Sequence, residues 1–189
     1  MKLKCPTDPS WIDVVKSDFD TFLLDHASCE RKASGLAMSL VCHYSDKPDL
    51  VREMIDLSIE EMAHFREVMK LILARGLVLR SDEKDPYINL LRKEVRTGRD
   101  VYLLDRLLMF GIVEARGQER FSMLGEALDD PSLQAFYARL AQAEGRHWEA
   151  FLTLAQKYWD AEEVDDRLEQ LLEAEAQIIE TLPHRPAVH

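Results

Sequence analysis

Glu30 is followed 31 residues later by Glu61-Met62-Ala63-His64, and Glu114 is followed 30 residues later by Glu144-Gly145-Arg146-His147. Each half of the chain thus supplies one lone Glu and one Glu-x-x-His. Four carboxylates and two imidazoles form the ligand set of a di-iron or di-manganese centre inside a four-helix bundle, a centre suited to oxygen chemistry. Residues three apart on a helix share a face, so each Glu-x-x-His can aim both side chains at metal on one side. Imidazole suits iron, and carboxylates bind hard cations. One Glu-x-x-His alone is weak evidence, because such a pair is usually a surface pair or a satisfied buried histidine. Two of them, each preceded by a Glu about 30 residues upstream, are hard to obtain by chance.

The neighbours of these residues sharpen the expectation. Glu144 continues the apolar stripe of Leu133, Phe136, Tyr137, Leu140 and Ala141, which Trp148, Phe151 and Leu154 extend. Glu114 follows Leu103, Leu107 and Phe110. Glu61 sits between Met54, Leu57 and Val68, and Glu30 between Leu23, Ala27, Ala33 and Ala37. An ionised carboxylate buried without a partner costs several kcal/mol. Two Fe(II) ions would carry +4 against the −4 of the four carboxylates, which removes that conflict. Glu60 is either exposed on the turn of His64 or an outer acceptor that orients the opposite histidine, His147. His26, one turn before Glu30, could face the site, but is more simply a satisfied core or surface histidine. Cys29 should point elsewhere on its helix.

The breaks that divide the chain define the elements that position these residues. Asp8-Pro9-Ser10 starts a helix expected to reach about residue 44, with a possible bend at 17–19. Ser45-Asp46-Lys47-Pro48 turns into a second helix over about 48–75, which Gly76 would cap. A short helix covers about 86–97. The third and fourth long helices span about 100–128 and 131–159, and a final helix about 162–181. The expected fold is all-α in a single domain over 1–189: a ferritin-like four-helix bundle with one long crossover, a short helix in that crossover, and a C-terminal helix. The offsets between Glu30 and Glu114, Glu61 and Glu144, and His64 and His147 are 84, 83 and 83 residues. The halves thus repeat a ligand geometry and little other sequence.

Composition agrees with a helical globular protein. Hydrophobic residues make up 47% of the 189, with seven Gly and seven Pro. Apolar runs such as residues 68–79 are broken, there by Lys70 and Arg75, so no membrane span is expected, and the polar N-terminus has no apolar signal core. Cys5, Cys29 and Cys42 are odd in number and lack C-x-x-C spacing, which fits a reduced, cytoplasmic protein. The net charge of −11 is uneven: residues 159–181 carry nine acids and one base, residues 70–120 eleven bases and eight acids. The overall acidity therefore does not exclude a nucleic acid partner.

Beyond the ligand pattern, longer stretches carry a resemblance. They are Cys5-Pro6-Thr7 with Trp11-Ile12-Asp13; Leu23-Leu24-Asp25-His26 before Glu30; Glu60-Glu61-Met62-Ala63-His64-Phe65; Arg75-Gly76; Ile112-Val113-Glu114-Ala115-Arg116 with Glu119-Arg120-Phe121; and Glu144-Gly145-Arg146-His147. Together they resemble the tRNA 2-methylthio-N6-isopentenyladenosine hydroxylases over roughly residues 3–154, with Gly145 where that family more often has Ala. The resemblance implies O2-dependent hydroxylation of an isopentenyl side chain beside the tRNA anticodon, two iron ions as cofactor, and an electron-donating reductase or ferredoxin. A monomer or small oligomer is expected. Arg92, Arg96, Arg116 and Arg120 then become candidates for tRNA contact, as do Arg75, Arg80, Lys84, Lys93, Arg99 and Arg106. Two other classes compete. Ferritin- or rubrerythrin-like iron oxidation or peroxide detoxification would call for a cage or a rubredoxin-like Cys site. A helical module without chemistry would take up no metal.

Overall fold

A computed structural model describes residues 1–98 and 101–189. Arg99, a candidate phosphate contact, and Asp100, the expected start of the third long helix, lie outside the described residues. Seven α-helices and one 3₁₀ turn are found among the described residues, with no strand. The helices are α1 (Ser10–Ser17), α2 (Phe19–His43), α3 (Pro48–Ala74), α4 (Pro86–Leu91), α5 (Tyr102–Ala127), α6 (Pro131–Tyr158) and α7 (Ala161–Thr181). The 3₁₀ turn, Arg92–Glu94, shortens the helix expected over 86–97. Two compact units emerge, one from residues 13–83 and 185–188, the other from residues 1–12, 84–184 and 189.

In the first unit the helix expected over 10–44 is broken rather than bent. Asp18 leaves helical geometry, and its carboxylate accepts the Thr21 N–H at 3.1 Å, an N-cap that starts α2 afresh. Pro48 occupies the first turn of α3, where a missing N–H costs nothing. At the other end Gly76 takes φ +72°, Leu77 N–H bonds to the Ile72 carbonyl and Gly76 N–H to that of Leu73. This is the Schellman closure, and its left-handed residue favours glycine. Phe22, Leu23, Ala27, Ala37 and Leu40 of α2 are buried, as are Leu50, Met54, Leu57, Val68 and Ile72 of α3. A pair of serines sets the register of the two helices. Ser34 Oγ donates to the Ser58 carbonyl at 2.9 Å, and Ser58 Oγ donates to the Ser34 carbonyl at 3.1 Å. Ser34 lies one turn after Glu30 and Ser58 one turn before Glu61, so this contact levels the two carboxylates across the hairpin.

In the second unit α5 and α6 form the corresponding hairpin. Asp130 caps α6 by accepting from Ser132 N–H at 2.8 Å, with Pro131 in the first turn. Gly125 allows close approach near the turn, since a Cβ there would lie 3.2 Å from the Ala138 backbone nitrogen. Residues 107–112 of α5 are all buried, as in a helix covered on several sides.

α7 packs by a narrow stripe of Val164, Leu171 and Leu172, and it also buries Glu175 completely. That carboxylate meets Arg116 of α5: Nε donates to Oε1 at 2.9 Å, and Nη2 to Oε1 and Oε2 at 2.8 and 3.0 Å. Tyr87 of α4 donates its hydroxyl to the same carboxylate at 3.1 Å. Arg116 also donates to the Cys5 carbonyl, Thr7 Oγ1 and Glu119, so one buried guanidinium ties the N-terminal segment, α5 and α7 together.

Candidate metal centre

In the first unit, α2 presents Glu30 and α3 presents Glu61 and His64. One ligand atom from each lies within 4.8 Å of the others. His64 Nδ1 stands 3.6 Å from Glu30 Oε2 and 3.8 Å from Glu61 Oε2. In the second unit, α5 presents Glu114 and α6 presents Glu144 and His147, and their ligand atoms also lie within 4.8 Å of one another. His147 Nδ1 is 3.8 Å from Glu114 Oε2 and 3.5 Å from Glu144 Oε2. Each half therefore gathers two carboxylates and one imidazole, five of the six residues being buried and Glu114 nearly so. Gly117 lies beside Glu144, where an added Cβ would approach its carboxylate carbon to 3.7 Å.

The donor set fits a cation. Separations of 3.5–3.8 Å between imidazole nitrogen and carboxylate oxygen exceed a good hydrogen bond. They suit two donors that share an ion held at about 2.1 Å from each. Two carboxylates in a buried half-site also need a positive charge. In the first unit, protonated imidazole supplies it. Burial alone would lower His64, but Glu30 and Glu61 outweigh burial and push its pKa up to about 9. Burial alone would raise Glu30, but the hydrogen bond from His26 and the nearby His64 imidazole hold it well below the usual carboxylate range.

The structure decides between the readings left open for two neighbours. Glu60 does not stand fully in solvent, and the imidazole it faces is on its own helix: its Oε1 lies 4.0 Å from His64 Nε2, the nitrogen turned away from Glu30 and Glu61. The cause is the i, i+4 spacing, which places both on one helix face. His26 is fully buried, with Nε2 2.7 Å from Glu30 Oε1. It is a core histidine whose partner is the candidate ligand. The four-residue spacing from Glu30 was the signal for it. Cys29, as expected, turns aside, its thiol 3.7 Å from Asp25.

The expected tRNA contacts need correction. Arg116 is fully buried and engaged by Glu175, Glu119, Thr7 and Cys5, so it cannot meet a phosphate. Arg120 is buried too, its guanidinium 5.0 Å from the Trp11 ring centre and its Nε 3.3 Å from Thr7 Oγ1. Burial first, and Arg116 next, lower its pKa to about 10. Arg96 is partly exposed but clamps Asp105 through Nη2 at 2.7 Å, a carboxylate that Arg167 also holds. Arg92, on the 3₁₀ turn, is exposed.

A family model described as tRNA-(MS[2]IO[6]A)-hydroxylase (MiaE) matches residues 1–189. A Pseudomonas putida protein named tRNA 2-(methylsulfanyl)-N(6)-isopentenyladenosine(37) hydroxylase is 37% identical over 179 residues, which cover 95% of this chain and 87% of that protein. A Salmonella typhimurium protein of the same name is 30% identical over 226 residues, covering 94% and 83%. Among solved structures, a Synechococcus protein with aldehyde deformylating oxygenase activity superposes with a TM-score of 0.92 at 35% identity, over 97% of this chain and 92% of its own. That likeness bears out the all-α, ferritin-like class expected from the helix pattern.

Proposed function

Because the chain belongs to the MiaE family of tRNA-(MS[2]IO[6]A)-hydroxylases, we propose that it hydroxylates the isopentenyl group of 2-methylthio-N6-isopentenyladenosine beside the tRNA anticodon, using O2 and a di-iron centre. The observation that carries this reading is the repeated half-site: two buried carboxylates and one imidazole on α2–α3, and the same set on α5–α6. In this reading Glu30, Glu61 and His64 join Glu114, Glu144 and His147 around two iron ions. The likeness to one solved oxygenase over 97% of the chain supports the oxygen chemistry of this reading. When bound, iron would supply activation of O2, so that one oxygen atom enters a C–H bond and the other leaves as water with two electrons and two protons from outside.

The residues of the chain have simpler tasks. The four carboxylates would neutralise the ions, and the two imidazoles would complete their donor sets. His26 holds one oxygen of Glu30. Phe110 and Phe151, 5.9 Å apart between ring centres, and Phe121 against Tyr137 at 5.6 Å, keep water from the α5–α6 half. An unpaired anticodon base would be read by stacking and edge contacts, with exposed arginines such as Arg92 on the phosphates. The electron donor would be a reductase or ferredoxin, and the site of action the cytoplasm, where tRNA is modified. No helix among the described residues is long and apolar enough to cross a membrane.

The test is direct. Iron-loaded, reduced protein is mixed with O2 and tRNA bearing the isopentenyl modification, and the nucleosides are analysed by mass spectrometry. Gain of one oxygen atom on the modified adenosine is expected. Oxidation of iron with the nucleoside unchanged would refute the hydroxylase reading and favour iron oxidation or peroxide detoxification.

A further inference from the structure

The offset that pairs Glu30 with Glu114 also pairs His26 with Phe110. The two half-sites repeat their donors, but not the residue one turn before the lone Glu. His26 is fully buried, and its Nε2 lies 2.7 Å from Glu30 Oε1. An ionised carboxylate can only accept, so the imidazole donates there. This leaves Oε2, 3.6 Å from His64 Nδ1, as the oxygen turned toward the other donors. Phe110 has no donor to offer. Its ring is buried against Phe151 and lies 5.5 Å from the Arg106 guanidinium. Glu114 consequently lacks the hold that fixes Glu30.

We propose that the two metal positions are inequivalent by construction: His26 fixes Glu30 as a one-oxygen ligand, so the α2–α3 half fills first, while Glu114, backed by Phe110, is free to change its mode of binding. This rests on the dinuclear reading above. The physical reason is pre-organisation. A side chain already held in place loses less rotamer freedom when metal arrives. Hydrogen-bond partners behind a metal ligand typically carry a 10–100-fold effect on affinity. His26 is thus a positioning residue, acting through Glu30.

The test uses Co(II) titration of the full chain, followed by visible absorption and calorimetry. Two binding steps at least tenfold apart are expected. His26→Phe, which copies the other half, should weaken the tighter step by roughly 10–100-fold and leave the weaker step in place. His26→Gln, whose amide can donate to the same oxygen, should keep most of the difference. Phe110→His should tighten the weaker step, a gain that damage to folding cannot imitate. Glu114→Ala should remove the weaker step and keep the tighter one. Two equal steps in the unaltered protein would overturn the inference while leaving the dinuclear reading intact. So would a folded His26→Phe variant with an unchanged tighter step. Absence of any cobalt binding would instead sink the metal reading itself, and this inference with it.

Discussion

Replacing Glu175 with Ala removes the acceptor of three hydrogen bonds from Arg116 and one from Tyr87, all in a fully buried place. Deleting one partner of a buried ion pair costs roughly 3–5 kcal/mol, mostly because the surviving charge is stranded. Arg116 would still have Glu119, Thr7 and the Cys5 carbonyl. The lower end of that range, about 3 kcal/mol, is therefore expected. For a chain of this size that corresponds to a fall in Tm of roughly 6–12 °C. Charge and packing separate in a double-mutant cycle. Burial pushes the Glu175 carboxyl above its ordinary range, and Arg116 opposes this without reversing it. Burial works against the Arg116 charge too, but Glu175 and Glu119 outweigh it and raise its pKa. The two directions disagree about the ion pair, the acid's disfavouring and the base's favouring its charged form, and the three hydrogen bonds at 2.8–3.0 Å show that the pair forms although desolvation of the acid is not fully repaid. Removing both charges, as Glu175→Leu with Arg116→Met, should thus cost less than the two single changes added together, by about 2 kcal/mol. Urea unfolding followed by circular dichroism measures all three variants. Additivity within about 0.5 kcal/mol, or a Glu175→Ala cost below about 1 kcal/mol, would refute the argument that Arg116 depends on Glu175.

Further outcomes are expected. Metal uptake by the α2–α3 half should release a proton and strengthen as pH rises toward about 9, because His64 must lose the proton that Glu30 and Glu61 stabilise; calorimetry in buffers of different ionisation heat reads this directly. By the same sign, metal-free protein gains stability from the His64 charge in full below pH ~6.5 and loses it as pH climbs through about 9, so its urea midpoint should fall over that interval. Gly76→Ala should cost about 1 kcal/mol in thermal unfolding, since φ +72° disfavours a Cβ although nothing crowds the position. Arg92→Ala should weaken tRNA binding and flatten its salt dependence by about one unit of slope, whereas Arg120→Ala should lower stability and leave that slope alone. An unchanged slope for Arg92→Ala would remove it from the interface.

The parts of this architecture carried by short-range chemistry were readable from the chain. Pro48, Gly76 and Asp130-Pro131 mark helix ends because capping and ring geometry act within a few residues. Asp18 was harder: an aspartate in a long apolar pattern suggests a bend, and only its bond to Thr21 makes it a new start. The six metal-ligand candidates stood out because spacing and apolar neighbours conflict unless a cation is present. Arg116 and Arg120 misled for the opposite reason. Arginine is exposed by default, and the acid that buries Arg116 lies 59 residues away on another helix. No local pattern can reveal that pairing. Glu60 and His26 fall between these cases, with helical spacing giving the neighbour and the fold deciding which imidazole or oxygen is met.

The mutual bonds of Ser34 and Ser58 have an implication for how this hairpin tolerates change. They act at the level of the donors, so the distance from Glu30 to Glu61 is decided in the middle of the helices and not at their connection. The segment Ser45–Lys47 is therefore released from any metrological duty. Residues inserted there should lengthen the connection without sliding one helix along the other, at an entropic cost that grows only slowly with length. A substitution that swells either serine would instead act as a shim, shifting α3 along α2 and detuning Glu61 and His64 together.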